Sequence, residues 1–293
     1  MRIYNLGSMN IDYVYRVSHF LQPGETLSSE SLEIFPGGKG LNQSVALGRA
    51  GAKVIHGAIM GAGGGFLLQT MESANVDISR VQKTEASAGH AIIQVDKSGQ
   101  NCILLFAGTN RMVDNAYIER FLIDAEPGNI LLLQNECSCL REAMEIGHRK
   151  EMQITFNPSP FHEDILKLPL ELVDWWFCNE IEGAALFGSC APETIAENFA
   201  KRYPGSNLIL TLGGEGSLFV NGETRLRQCI YPAETVDTTA AGDTFTGFFL
   251  ACIATGRQVT EALDIASRAA SVTVSRMGAA ASIPYLYEVI ENN

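Results

Sequence analysis

Short apolar runs alternate with longer amphipathic stretches along nearly the whole chain, and this rhythm narrows the possible folds more than any other feature. The runs at 3–6, 53–59, 130–133, 153–156, 175–178, 208–212 and 217–220 have the length and composition of strands. Between them, 42–50, 66–74, 140–150, 192–202, 242–255 and 260–276 read as helices. A strand followed by a helix returns to pair in parallel, and the helices then cover both sheet faces. The expected fold is therefore α/β, a three-layer, doubly wound, mainly parallel sheet. Ile130-Leu-Leu-Leu133 fits it, being apolar at successive positions as a strand covered on both sides must be.

Two segments break the rhythm. Residues 10–36 show alternation without a helical period, at Ile11, Tyr13, Tyr15 and Val17 and again at Leu32 and Ile34. Residues 88–106 read as a hairpin, with strands at 90–95 and 102–106 joined by a turn at Asp96-Lys-Ser-Gly99. These inserted strands are expected to form a small β-sheet projecting from the body, serving as a lid or as a dimer surface. No repeat or linker interrupts the chain, so 1–293 is read as one α/β domain with a lid.

With 46% hydrophobic and 18% charged residues the chain has the balance of a globular enzyme. Its net charge of −12 speaks against a nucleic-acid or anionic-membrane surface, since either needs a basic face. An anionic substrate needs only local donors and is not excluded. No run approaches the roughly 18 apolar residues of a membrane span, and Met1-Arg-Ile-Tyr-Asn-Leu-Gly7 lacks a secretory apolar core. The seven cysteines are scattered, and Cys137-Ser-Cys139 has no second pair at zinc-like spacing. A reducing cytoplasm is the expected compartment.

Asp237-Thr-Thr-Ala-Ala-Gly-Asp243-Thr-Phe carries the clearest chemistry. Small residues lead into an apolar run, 245–254, suited to a buried helix. A small-residue turn entering a helix leaves backbone N–H groups unpaired at the positive end of the helix dipole. There they can stabilise a phosphate whose charge is spreading in a transition state. Ala240, Ala241 and Gly242 offer no side chain to block that approach. Asp243, at the helix start, reads either as a capping carboxylate or as a general base for an attacking hydroxyl. The stretch resembles the anion-hole loop of the ribokinase family, the phosphofructokinase-B superfamily of carbohydrate kinases. That resemblance implies ATP-dependent phosphorylation of a sugar, an anion hole at Ala240, Ala241 and Gly242, and Asp243 as catalytic base.

A second block, Gly37-Gly-Lys-Gly-Leu-Asn42-Gln-Ser followed by Gly48, Gly51 and Gly61, is by itself a tight turn before a helix. It is similar to the family's N-terminal pattern, which implies that Gly38, Lys39 and Asn42 belong to the sugar site. The Asn42 amide can both donate to and accept from a hydroxyl. Asn10 and Asp12, two residues apart on an extended segment, point the same way and suit adjacent hydroxyls, with an Asx turn as the alternative. The resemblance implies sugar contacts for both, and also for Glu136, just past the strand at 130–133, where strand ends open onto a ligand crevice.

Asn179-Glu-Ile-Glu182 follows a strand and opens a helix whose dipole favours acidic first-turn residues. It also matches the family's Asn-x-x-Glu element, implying nucleotide contact by Asn179 and a water-mediated magnesium contact by Glu182. Thr211-Leu-Gly213-Gly-Glu-Gly216 is similar to the family's ATP-binding loop, which places Thr211, Gly213 and Gly216 at the nucleotide. The segment 273–282 resembles the one that closes a monovalent-cation pocket in ribokinases. It implies a potassium activator held by Asp237, Thr239, Thr273, Arg276, Gly278 and Ser282, several through backbone carbonyls.

The chain departs from the family pattern in three places. Ala62-Gly63-Gly64-Gly65 stands where many relatives carry acidic residues, Leu41 replaces a common alanine and is expected to add bulk near the sugar, and Phe248 sits where a small residue is usual. A dinucleotide-binding loop at 61–66 fails because the third glycine of its pattern falls on Phe66. A non-catalytic sugar sensor would lack the base or the anion hole, and both are present. The expected partners are ATP with magnesium, a small sugar and a second copy of the chain through the lid. D-ribose is the leading acceptor, with deoxyribose, fructose or a nucleoside as alternatives.

Overall fold

The computed structural model describes residues 1–290. Its strands are β1 (Arg2–Leu6), β2 (Asn10–Arg16), β3 (Ser31–Gly37), β4 (Lys53–Ala62), β5 (Asp77–Ser87), β6 (Gly89–Val95), β7 (Asn101–Phe106), β8 (Ile130–Gln134), β9 (Gln153–Asn157), β10 (Trp175–Asn179), β11 (Asn207–Thr211), β12 (Ser217–Asn221) and β13 (Thr224–Gln228). The α-helices are α1 (Lys39–Arg49), α2 (Gly65–Ser73), α3 (Asn115–Phe121), α4 (Leu140–Arg149), α5 (Glu180–Phe187), α6 (Pro192–Arg202), α7 (Ala241–Ala254), α8 (Val259–Val274) and α9 (Leu286–Ile290). Among the described residues nine strands form one sheet in the order β13-β12-β11-β10-β9-β8-β1-β4-β5. It is parallel from β11 to β5, and β12 and β13 add antiparallel at one edge.

Successive strand residues bury into two different cores, which is why the central runs are apolar throughout. Ile130 and Leu132 face a core built with α1, α7 and α8, whereas Leu131 and Leu133 face a core built with α3, α4 and α6. Trp176 anchors the second core, edge-on to Phe156, Phe187 and Phe199. The expected three-layer α/β architecture is thus present. The two segments that break the sequence rhythm form a separate four-stranded sheet, β3-β2-β6-β7. The turn joining β6 to β7 is tied by Asp96 Oδ1, which accepts from the Ser98 and Gln100 amides at 2.8 and 3.1 Å.

Four elements were not expected: β5, β13, α3 and α9. The first two lie at the sheet edges, where one face or one side meets water and polar side chains serve. Helix α1 begins at Lys39, three residues before the expected start, because Gly38 (φ 95°) turns the chain into it. Leu41 corrects a second expectation. Its side chain is fully buried in the α1–α7 core, so the bulk that replaces alanine fills the interior and not the sugar site. Phe248 is likewise fully buried in that core, as expected of a packing residue. Among the described residues no helix is long and apolar enough to cross a membrane.

Helices α1 and α7 approach closely because Gly247 has no side chain. A Cβ there would lie 2.4 Å from Ala46 Cβ and 2.9 Å from the Leu47 amide nitrogen. Gly247→Ala should therefore force the helices apart and lower unfolding stability by about 1–3 kcal/mol, the usual cost of overpacking. Chemical denaturation of both proteins measures it, and equal stability would show that the contact yields without cost.

Candidate active site

Strands β1, β8, β9, β10 and β11 run the same way, so their C-terminal ends open on one side of the sheet. Gly7 and Ser8 follow β1, Asn135 and Glu136 follow β8, and Asn179 and Thr211 are register partners at the ends of β10 and β11. The loop before α7 meets them from above. Ala240, in left-handed backbone (φ 62°), starts α7 without a side-chain cap. A non-glycine there carries a strain of about 1–2 kcal/mol, and such strain collects where a loop must aim backbone groups. The Ala241 amide donates to Thr238 O at 3.3 Å and the Thr244 amide to Ala240 O at 2.8 Å. Among the described residues the Gly242 and Asp243 amides have no acceptor, so the turn presents two free N–H groups at a helix N-terminus.

Asp243 is buried at that turn, and both carboxylate oxygens accept from α1. Asn42 Nδ2 donates to Oδ2 at 3.2 Å and Gln43 Nε2 to Oδ1 at 2.9 Å. Asn42 Oδ1 is buried without a hydrogen-bond partner. Lys39, one turn earlier, stands among three carboxylates. Burial works to lower its pKa, but Asp243, Glu136 and Glu182 outweigh it and hold the ammonium above its ordinary value. Glu136 Oε2 accepts from the Ser8 hydroxyl and, at 2.9 Å, from the Lys39 amide. Burial pushes the Glu136 carboxyl up, and those bonds with the Lys39 charge restrain the rise.

Asp12 stands over Gly37, where a Cβ would fall 2.1 Å from its Oδ2. Burial, with the nearby Glu136 charge adding, pushes its carboxyl up to about 7. Asn10 pairs with Gly37 across β2 and β3, and its Oδ1 accepts from Asn110 Nδ2 at 2.7 Å, which leaves its own NH₂ for a ligand. Asn110 is fixed in turn by accepting the Met9 amide at 3.0 Å. Gly38 passes close beneath Asn10 and Ser8. Asn10, Asp12, Gly38, Lys39, Asn42 and Glu136 thus gather with Asp243 under the small sheet.

The nucleotide candidates line a cleft of about 590 Å³ beside this cluster, together with Lys39, Glu182 and the 240–243 turn. Asn179 and Glu182 form a reciprocal cap on α5. Asn179 Oδ1 accepts the Glu182 amide at 2.8 Å and Glu182 Oε2 accepts the Asn179 amide at 3.1 Å. The pair thus makes the cap that opens α5, and Glu182 also lines the cleft. Thr211 donates to Cys178 O at 3.4 Å. Gly216 is needed structurally, since a Cβ would sit 2.0 Å from Gln228 O. Apolar side chains of Ile181, Ile230, Ala270 and Val274 complete the lining.

The two segments expected to hold a cation do meet. Asp237 Oδ2 accepts the Gly278 amide at 3.0 Å, and Oδ1 accepts the Thr239 amide and hydroxyl at 2.9 and 2.7 Å. Burial works against its charge, but these bonds outweigh it and hold Asp237 below the usual carboxylate range. Thr273 differs from a hydroxyl ligand. It is fully buried, with its Oγ1 3.0 Å from Thr244 Oγ1, and can offer only its carbonyl. The Arg276 side chain turns away to Glu288 at 2.6 Å, and Ser282 Oγ donates to Ala279 O at 2.8 Å.

Ser8, Gln43 and Asn110 were not singled out in the sequence. Gln43 had a signal, being a long amide on a helix face otherwise occupied by core residues.

A free-amide turn beside a carboxylate, on a three-layer parallel sheet with a small second sheet over the carboxylate end, defines a phosphotransferase of the carbohydrate-kinase class. The chain belongs to the pfkB family of carbohydrate kinases, whose model matches residues 2–286. It is 34% identical to a ribokinase of Schizosaccharomyces pombe, over 97% of this chain and 95% of that protein. The crystal structure of a ribokinase from Cryptococcus neoformans in complex with ADP superposes with a TM-score of 0.88 at 28% identity, covering 100% of this chain and 99% of that one. The structure of Arabidopsis thaliana ribokinase complexed with ribose and ATP gives 0.85 at 26% identity, covering 99% and 97%.

The raised Asp12 carboxyl predicts a pH signature. An unfolded aspartate ionises near roughly 3.9, so folding must bear the penalty of the buried charge once the pH exceeds that value. The protein should lose stability from this group as pH rises toward about 7 and little more above it. Asp12→Asn removes the charge, so its melting-temperature advantage over the parent should widen between pH 5 and pH 8. A constant difference across that interval would show that Asp12 is not so perturbed.

Proposed function

We propose that the protein transfers the γ-phosphoryl group of ATP to the primary hydroxyl of a pentose, D-ribose foremost, giving ribose 5-phosphate and ADP. One observation carries the reading: Asp243 stands at the first turn of α7 beside two amides without acceptors, with both its oxygens held by α1. Two related ribokinase structures, one in complex with ADP and the other with ribose and ATP, support the two substrates.

Asn10, Asp12, Asn42 and Glu136 bind the sugar hydroxyls, and Asn42 Oδ1 gains the donor it lacks. Asp243 takes the proton of the primary hydroxyl as that oxygen bonds to the γ-phosphorus. The bond from the γ-phosphorus to the β,γ-bridging oxygen breaks, and ADP leaves with the electron pair. The Gly242 and Asp243 amides receive the charge on the transferring group, and Ala240 and Ala241 shape their turn. Asn179, Thr211, Gly213 and Gly216 hold the nucleotide, whose base lies against the apolar lining. Magnesium bound with ATP would supply charge neutralisation at the phosphates, and Glu182, at the cleft, would hold it through water. The small sheet acts as a lid that excludes water. Its face turned away from Asp12, with Leu32, Ile34, Leu104 and Phe106 exposed, is assigned to a second copy.

Asp243→Asn should cut kcat by about 10²–10⁴, the usual worth of a general base, while nucleotide binding persists. ADP release over a panel of ribose, deoxyribose, fructose and nucleosides identifies the acceptor. Highest kcat/KM with a nucleoside would overturn the sugar reading, and near-parental turnover in Asp243→Asn would overturn the base.

Potassium is the finer part of the proposal. The acidic Asp237 is joined to 273–282 through the Gly278 amide, and carbonyls of Thr239, Thr273, Arg276 and Gly278 with the Ser282 hydroxyl would complete a cation shell there. At constant ionic strength and saturating magnesium, potassium should raise kcat several-fold over choline, and Asp237→Ala should abolish the stimulation. Identical rates in both salts would remove the site.

A further inference from the structure

Beneath Asp243 a chain of polar side chains runs through the interior, where apolar residues would ordinarily pack. Gln43, Gln134, Asn5, Ser44 and His56 are all buried. Their hydrogen bonds have a forced direction. Asn5 spends both amide protons, on Gly40 O and Ser44 Oγ, at 2.8 Å each. Gln134 spends both of its own on Asn5 Oδ1 at 3.0 Å and Gln43 Oε1 at 2.7 Å. Gln43 must therefore turn its oxygen to Gln134 and its NH₂ to Asp243, where Nε2 donates to Oδ1 at 2.9 Å. A flipped Gln43 would set oxygen against oxygen at Asp243 and NH₂ against NH₂ at Gln134.

The far end is anchored without charge. Ser44 Oγ accepts from Asn5 and shares a hydrogen bond with His56 Nδ1 at 2.8 Å. Burial, opposed in part by the Gly7 backbone, pushes the His56 ring down to about 3, so it is neutral at physiological pH. The chain also leaves Gln134 Oε1 and His56 Nε2 without partners, a cost to stability that an apolar core would avoid. A costly network whose orientation ends on one carboxylate oxygen calls for a role at that oxygen.

We propose that Gln43 is a positioning residue for Asp243, its N–H fixing Oδ1 so that a lone pair of the carboxylate meets the incoming hydroxyl. Gln134 and Asn5 set which way the Gln43 amide faces. The proposal rests on Asp243 being the base. It goes beyond that reading by assigning the orientation of the base to α1 and β8 and not to its own helix alone.

Kinetics of Gln43→Leu, Asp243→Asn and the double variant test it. Gln43→Leu should fold and lose kcat by about 10–100-fold, with KM for ATP and ribose within about twofold, since the loss is of alignment and not of binding. In the Asp243→Asn background the same substitution should cost almost nothing, because it acts through that carboxylate. Gln43→Glu keeps the shape and serves also should Gln43→Leu fail to fold. Only a protonated carboxyl at position 43 can donate to Oδ1, so its kcat relative to the parent should fall as pH rises. The charged groups around Asp243, namely Lys39, Glu136 and Glu182, are common to both proteins, and His56 is neutral in both. Parental kcat in folded Gln43→Leu, equal losses in both backgrounds, or a pH-independent ratio for Gln43→Glu would each overturn the positioning role. Parental turnover in Asp243→Asn would remove the base reading and this proposal together. Collapsed turnover there beside parental turnover in Gln43→Leu would remove this proposal alone.

Discussion

Asp243 and the α1 residues that hold it lie about two hundred positions apart, at separations of 201 and 200 residues, and they meet only because α1 and α7 pack almost backbone to backbone. Gly247 and Ala46 make that approach possible. The remaining faces of α7 are spoken for. Phe245, Phe248, Phe249 and Leu250 bury into the core, and the Thr244 hydroxyl meets Thr273 on α8. A helix buried on every side has no freedom to tilt or slide, so its first turn is placed by the whole core. The proposed anion turn, base and cation segment therefore share one rigid support. Preorganised donors stabilise a developing charge only if they need not move to do so, and this packing supplies that condition.

Charge sets the second constraint. Around Lys39 stand Asp243, Glu136 and Glu182, and Asp12 lies beside Glu136. Four carboxylates against one ammonium would repel a nucleotide that arrived with its full negative charge. The free amides of the α7 turn offset part of this, but fixed dipoles act over a short range. A nucleotide carrying a divalent cation meets far less opposition, in keeping with the proposed place of Glu182 beside it. Burial pushes Glu136 and Asp12 upward and the neighbouring carboxylates add to it, while the same carboxylates hold Lys39 charged against burial.

How much of this could be read from the sequence depended on what each element buries. β8 and β10 were legible because a strand covered on both faces must be apolar at every position. β5, with Arg80, Gln82, Lys83 and Glu85, carried no such signal, since an edge strand satisfies itself with solvent. The loops at 37–42 and 237–243 were legible because small residues and a lone carboxylate have few other reasons to occur together. The supporting polar residues were not. Asn5 and Gln134 lie within or at the end of apolar strands, and only the fold reveals that they share one network with Gln43. Pairing across 129 residues leaves no trace in local pattern.

Specificity follows from what the site leaves unsatisfied. Asn42 Oδ1 is buried without a donor, and Asp12 carries a carboxyl whose ionised form burial opposes. On the proposed reading, a sugar hydroxyl that donates to either would relieve the deficit. An analogue without that hydroxyl excludes water from the group and returns nothing, leaving a buried polar atom unpaired at a cost of about 1–3 kcal/mol. That is roughly 5- to 150-fold in kcat/KM per missing hydroxyl, far more than an apolar pocket gains from one methylene of fit. Under the proposed function, discrimination would therefore lie in Asn42 on α1 and Asp12 on β2. Asn110 and Ser8 act one step behind them, since Asn110 fixes the amide of Asn10 and Ser8 the carboxylate of Glu136. A change of sugar preference would require replacing the acceptors, whereas replacing their supports would loosen the preference without redirecting it.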